Sequence, residues 1–272
     1  MSAAPALRQA GPVQRVGALV LRFLLLLRRD PARLVDAFYW PLIDVVLWGL
    51  VTWFVIARGI QLPGALGVFL GAIILWNVFF RICQDISVSF LDDIWARSTV
   101  TLFSSPLTLG EFGAAVVVLG LIKVLVSLLA MALLAWLLFA FDLFSLGFAL
   151  LPFAANLILL GWSVGLVCMA IILRFGGRWA IVAWSLPILL MPFSSVFYPE
   201  SVLPPFARAI ARAVPANHVF EGMRALLIDH RMAWDRLWIA TAENALYLAL
   251  AAALVSFTFR VALRRGLLPK LH

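Results

Sequence analysis

The sequence predicts an all-α polytopic membrane protein. It has six transmembrane helices, an N-terminal amphipathic interfacial helix, and an outer re-entrant helical hairpin after the fifth span. Three observations carry this. The 272 residues are 65% hydrophobic and 12% charged, whereas soluble domains are about half apolar and a quarter charged. Six runs approach the roughly 20 apolar residues a helix needs to cross hydrocarbon: Phe38–Ala57, Gly64–Phe80, Gly113–Phe139, Phe148–Leu173, Ala180–Phe197 and Trp238–Phe259. The runs lack the alternation of membrane strands, and in lipid a helix satisfies every backbone polar group within its own segment. A single domain, residues 1–272, is expected.

Before the first run, Arg8, Arg15, Arg22 and Arg29 recur every seven residues. On a helix they form a narrow basic stripe, with Leu and Val covering the rest. A signal peptide fits poorly, because Arg22 interrupts the apolar core and RRDP replaces a small-residue cleavage site. Residues 13–29 are read as an interfacial helix, with Arg15, Arg22 and Arg29 toward anionic headgroups; a flexible tail is the alternative. Asp30-Pro31 supplies a cap and a first helical proline, and span one follows. After a short turn at Arg58–Pro63, span two ends at Arg81. Residues 81–111 then form a partly helical cytoplasmic insert containing Asp92, Asp93, Trp95 and Arg97. Thr108 and Glu111 suit a capping box leading into span three. Span five contains Pro187 and Pro192, and proline inside a helix removes a backbone bond and kinks it.

The segment 197–237 lies between the last two runs. Its first part, FYPESVLPPFARAIARAVPANHVFEGMRALL, is too polar to cross a bilayer and too patterned for a slack loop. Pro199, Pro204, Pro205 and Pro215 punctuate two short amphipathic pieces. Each is about 10 residues, or about 15 Å of helical rise, so neither spans alone. Asn217 is placed as a cap for the second piece, and Glu221 and Arg224 share its face. With the N-terminus inside, fourteen of the 21 Lys/Arg fall on inner segments, six on outer ones, and Lys123 within a span. That asymmetry places both termini in the cytoplasm. Five of the six outer charges lie in 197–237, which amphipathic helices account for. The same distribution argues against nucleic acid as the reason for the net charge of +8. Cys83 and Cys168 map to the cytoplasmic side, where no disulfide is expected, and no Cys/His spacing suggests a metal.

A P-loop requires G-x-x-x-x-G-K-[ST]. Lys123 is followed by Val and Lys270 by Leu, so this chain carries no ATP site of that kind. Gly161-Trp162-Ser163-Val164-Gly165 matches G-x-S-x-G, but a nucleophile elbow needs a strand-to-helix turn. The match lies inside an apolar run, and His218, His230 and His272 all lie outside the runs; close helix packing through glycine is the other reading. Asp44, Lys123 and Glu243 fall within runs, where a charge costs about 2.5–3.5 kcal/mol by insertion scales. Trp40, Asp44 and Trp48 share a face at spacings of four. With Asn77 they either line a path or bond helix to helix. Asp92, Asp93, Trp95 and Arg97 equally suit a solvated loop.

This layout resembles the permease subunits of type 2 ABC exporters, the ABC-2-type transmembrane domain, from about residue 13 onward. The sharpest local match runs through Phe197 to Pro199, Leu203-Pro204, Phe206 to Val214, Pro215 with Asn217, and Glu221-Gly222-Met223-Arg224. The resemblance implies a homodimer paired with two copies of a separate ABC ATPase, which binds the ATP and Mg; this chain binds no cofactor itself. It makes Asp92, Asp93, Trp95 and Arg97 the coupling region, and brings the N-terminal helix against the ATPase. Spans one, two and five then line the path, with Trp40, Asp44, Trp48 and Asn77. Pro192, Phe197, Glu221 and Arg224 form the outer gate. The implied activity is export of an amphipathic, drug-like, lipid or glycan substrate across the bacterial inner membrane. A secondary transporter, with a midplane ion site, and an intramembrane serine hydrolase are the alternatives.

Overall fold

The computed structural model describes residues 11–29, 31–58, 65–95 and 109–264, and every regular element among them is helical. Helix α1 (Pro12–Arg29) is amphipathic. Leu19 and Val20, flanked by Val16 and Leu24, pack on Ala115 of helix α4 (Leu109–Phe139), while Leu21, Arg22 and Leu25 are exposed. Arg15 reaches Glu111 at 3.5 Å. The helix is therefore docked on the bundle along one side, and its basic stripe does not face headgroups uniformly. Arg8 and the side chain of Arg29 lie outside the described residues, as do Asp30 and Thr108.

Helix α2 (Pro31–Ala57) begins at Pro31, whose missing N–H is no loss at a helix start. It also contains Pro41, which the sequence reading passes over. Helix α3 (Ala65–Trp95) corrects the boundary set at Arg81, because it continues without a break through residue 95. The first half of the insert is thus an extension of a membrane helix. Residues 96–108, including Arg97, and the side chains of Asp92, Asp93 and Trp95 lie outside the described residues.

After α4, a 3-10 segment (Leu143–Ala149) leads into helix α5 (Leu150–Phe175). Span five is corrected most. It is not one helix over 180–197 but helix α6 (Val182–Leu190), nine residues long, between 3-10 turns at Gly177–Trp179 and Met191–Phe193. Residues 194–199 are irregular. A 3-10 turn (Glu200–Val202), helix α7 (Pro205–Ala211) and helix α8 (Pro215–Asp229) precede the last helix, α9 (Trp234–Arg264).

Among the described residues, five helices are long and apolar enough to cross a membrane, 39–57, 67–88, 113–139, 143–175 and 234–261, and Gly177–Phe193 is a shorter apolar piece. Burial separates them: 78% of the 67–88 span is buried, against 22% of 39–57 and 17% of 234–261. The middle of the molecule is α3 on α5, with α9 on the other side of α5. The G-x-S-x-G residues form this seam. A Cβ on Gly161 would lie 2.7 Å from Ile82 Cγ2 and 2.9 Å from the Phe79 carbonyl, and one on Gly165 would lie 3.1 Å from the Cys83 carbonyl. Ser163 donates to the Leu159 carbonyl one turn back. The glycines let two backbones approach, which gains van der Waals contact where lipid offers no hydrophobic drive. On the α9 side Asn156 Oδ1 accepts from Asn244 and Thr241 at 3.0 and 3.2 Å, an interhelical polar staple in which Asn244 Oδ1 is buried without a hydrogen bond.

Candidate functional site

The site begins with what two prolines do to α6. Pro187 has no N–H, so the carbonyl of Ala183 loses its helical donor. Gln84 of α3 supplies the replacement at 2.9 Å, from a buried side chain. The helix then tightens into the 3-10 turn at Pro192 and stops. The Pro192 carbonyl accepts from the Tyr198 hydroxyl at 2.5 Å, which folds residues 193–198 into a compact reversal.

That reversal presents Phe197 to the bundle. Its ring stacks on Trp48 of α2 with centroids 3.9 Å apart and planes 16° from parallel, and Phe69 of α3 lies parallel to both at 6.5 and 6.4 Å. One turn earlier on α2, Asp44 accepts from Asn77 of α3 at 3.1 Å, and Asn77 also donates to the Ile73 carbonyl. The structure thus brings Trp48 together with Phe197, and Asp44 with Asn77. Trp40 stands apart: it is 59% exposed and packs edge-on against Tyr39. The other two ionisable groups of the apolar runs also have neighbours: Lys123 pairs with Asp85 at 2.9 Å, and Glu243 lies 3.7 Å from the His218 ring.

Above the stack, a closed ring of hydrogen bonds holds the hairpin. Ser195 Oγ donates to Asn217 Oδ1 at 2.6 Å, and Asn217 Nδ2 donates to Glu200 Oε2 at 3.4 Å. The Glu200 backbone N–H donates to Glu221 Oε1 at 2.8 Å. Arg224 donates to that same Glu221 oxygen at 2.7 Å and, through its other terminal nitrogen, to the Ser195 carbonyl at 2.9 Å. Ser195 sits at φ 52°, a left-handed conformation that costs a residue with a side chain about 1–3 kcal/mol unless its surroundings enforce it. Here both its hydroxyl and its carbonyl are tied. Asn217 is accordingly not a cap; Val214 occupies that position, and Asn217 is fully buried inside α8 as a link of the ring.

Glu200 also accepts from Arg212 at 2.7 Å and from Arg236 of α9 at 3.1 Å. Burial pushes its carboxyl up, but the hydrogen bonds from Arg212, Arg236 and Asn217, with the Arg236 charge, outweigh that and hold it below its usual value. Arg224 is pushed down by burial, against the opposing charge and hydrogen bond of Glu221. Arg208 takes another role, donating to the Ser201 and Leu203 carbonyls. The sequence reading missed Glu200, Arg236 and Ser195. The available signal was Glu200 itself, the one acid in a stretch from Phe197 to Phe220 that carries two arginines.

A broken apolar helix, an aromatic stack beneath it and a tied hairpin above it occupy residues 177–229. The family model of ABC-2 type transporters matches residues 14–228, from α1 to the last turn of α8. The chain belongs to the ABC-2 type transporter family. This ABC-2 chain is therefore a membrane permease domain, a transport rather than a catalytic unit, and its family works in general with an ABC ATPase. No curated protein matches the chain. The match covers the hairpin but not α9, which supplies Arg236 and Glu243.

Proposed function

We propose that this ABC-2 permease is the membrane subunit of an ATP-driven exporter, acting as a homodimer with two copies of an ABC ATPase. The substrate is amphipathic, drug-like, a lipid or a glycan, and moves outward across the bacterial inner membrane. Both termini are cytoplasmic. The piece 177–193 and the reversal after it complete a sixth crossing, and residues 197–237 form a re-entrant outer region. Asp92, Asp93, Trp95 and Arg97, within 81–111, receive the ATPase stroke, and α1 touches the ATPase beside them. Trp48, Asp44 and Asn77 lie on the path, with Trp40 at its periphery. Pro192, Phe197, Glu221 and Arg224 gate its outer end.

The observation that carries this reading is the Phe197–Trp48 stack: an aromatic residue at the end of a proline-broken helix closes on the span that faces it. Stacked rings exclude water and part without breaking hydrogen bonds, as an apolar gate must. Support for the homodimer is the apolar face of α2, where Leu47, Leu50, Trp53 and Phe54 are exposed. ATP favours one of two arrangements of the dimer, and the gate follows by a population shift.

The test is co-purification with a co-expressed candidate ABC ATPase, followed by ATP-dependent uptake of candidate lipids and drugs into inverted vesicles. A stable complex whose transport stops when ATP hydrolysis is disabled is expected. Failure to form a complex, or flux driven by a pH gradient without ATP, overturns the reading in favour of a secondary transporter.

A further inference from the structure

His218 lies between the hairpin and α9, only 4% exposed, and the hydrogen-bond ring does not use it. Its Nε2 is 3.1 Å from the Arg212 carbonyl. A carbonyl only accepts, so Nε2 carries a hydrogen. Its Nδ1 is 3.4 Å from Nη1 of Arg236. A guanidinium only donates, so Nδ1 is the bare nitrogen. The neutral Nε2–H form therefore suits both neighbours at once. The same Arg236 nitrogen donates to Glu200. On the far side, Glu243 places Oε1 3.7 Å from Nε2, and its Oε2 is buried without a hydrogen bond. Tyr247, one turn further along α9, donates to the Ala213 carbonyl. Arg212 and Glu200 from the hairpin, and Arg236, Glu243 and Tyr247 from α9, are the charged and titratable groups around the imidazole.

We propose that His218 is a proton-binding site that sets the grip of the hairpin on the last helix. This deepens the gate reading above and rests on it. A proton at Nδ1 turns the Arg236 contact into two donors and two like charges 3.4 Å apart. The imidazolium is kept in place by the Arg212 carbonyl and by attraction to Glu243. Arg236 is the partner that moves, because its side chain is 35% exposed and has solvent to turn into. Its departure removes the α9 bond to Glu200, while Arg212, on the hairpin itself, stays. Acidification therefore frees the Glu200 end of the segment from α9, while Tyr247 still holds Ala213, and leaves the ring from Ser195 to Arg224 closed. Histidine is the side chain that ordinarily changes charge between pH 5 and 8. By linkage, opening the hairpin raises the affinity of His218 for the proton.

Two measurements on the full chain in nanodiscs test this without transport, so a failed exporter assignment does not affect them. The first is the 15N spectrum of labelled histidine. At pH 8 His218 shows a bare Nδ1 and a protonated Nε2, and at pH 5.5 both are protonated; an Nδ1–H form at pH 8 overturns the proposal. The second is the distance between spin labels on Val202→Cys and Trp238→Cys, both exposed sites. The native cysteines are buried and free. One distance is expected at pH 8, and at pH 5.5 a longer one holding at least half the population. His218→Gln abolishes the pH response, and Arg236→Gln gives the longer distance at both pH values. A pH response that survives in His218→Gln, or a wild-type distance that ignores pH while His218 protonates, overturns it.

Discussion

Reversing both charges of the Glu221–Arg224 pair asks whether the pair matters as a pair or as part of the ring. In Glu221→Arg with Arg224→Glu, an ion pair three residues apart survives. Two other bonds do not. Glu221 also accepts the Glu200 N–H, and Arg224 also donates to the Ser195 carbonyl. Arginine has no acceptor and ionised glutamate has no donor. The swap therefore sets a cation against the N–H and an anion against the carbonyl. A hydrogen bond to a charged group is worth about 1.5–3 kcal/mol. The native side chains are 11% and 19% exposed, and this partial hydration favours the lower end, about 3 kcal/mol for the two bonds. That corresponds to an approximately hundredfold rise in hairpin opening. Amide hydrogen exchange is the assay: residues 215–229 should exchange about a hundred times faster, and residues 150–175 at the wild-type rate. A swap that protects 215–229 as well as wild type, when each single reversal does not, refutes the reasoning. Unchanged protection with lost transport would instead make the pair a contact with cargo.

Further perturbations address the scaffold and the pH response. Gly161→Leu forces a side chain into the Ile82 and Phe79 contact and should cost at least about 1–3 kcal/mol, seen as a lower unfolding temperature in detergent. Lys123→Met removes the ammonium bonded to Asp85 and leaves it only the Arg81 charge, so it should cost no more than about 3 kcal/mol, the low end of the range for a broken buried pair. Adding Asp85→Asn should recover most of that loss in the same melt. Because the Glu200 carboxyl is held below its usual value, its stabilisation is complete above an ordinary glutamate pKa of about 4.3 and disappears only as the pH falls through the lower folded value. In a His218→Gln background, protection of 197–229 against exchange should therefore keep its Glu200 share at pH 5, and adding Glu200→Gln should change the profile below about pH 4 but not between 5 and 8.

The long helices were legible because membrane insertion is a matter of length and apolarity, and both are sums over neighbouring residues. The start at Pro31 was legible for the same local reason. The end of α3 was not: Arg81 and Asp85 look like a boundary in sequence, but Lys123 pairs with Asp85 from another helix and lets α3 continue. Span five looked like a kinked crossing, because prolines announce a weakness in the helix and not whether it ends there. The answer depends on Gln84 and Tyr198, which take over the freed carbonyls from 99 and 6 residues away. Asn217 illustrates the limit at the site. A polar residue two places after a proline suits a helix start, and only the positions of Ser195 and Glu200 turn it into a buried link. The G-x-S-x-G motif was read correctly as packing, because a helical run leaves no turn for an elbow.

The α3–α5 seam and the proline-broken end of α6 are held differently, and this bears on where a moving part can be. The α3–α5 seam is closed at Gly161 and Gly165, where an added Cβ would come within 3.2 Å of the facing carbonyls of Phe79 and Cys83. Sliding such a seam forfeits many contacts together, and close-packed interfaces resist continuous deformation. The unit from α6 to α8 shares the main core through Val196, Val219, Phe220 and Met223, and is further attached by two directional bonds, Gln84 to Ala183 and Arg236 to Glu200, and by one aromatic stack near its proline-broken end. Each such bond contributes only about 0.5–3 kcal/mol net and can be replaced by water or another partner. The proposed gate is therefore placed at the proline-broken end of α6, where those replaceable contacts lie. In the proposed mechanism the stroke enters at 81–111, and α3 carries it rigidly to Gln84, eleven residues before the end of that helix at Trp95. Gln84 is bonded to the carbonyl that Pro187 left free. A displacement of α3 thus acts first on the proline-weakened turn of α6, which is the point from which Phe197 can be drawn off Trp48.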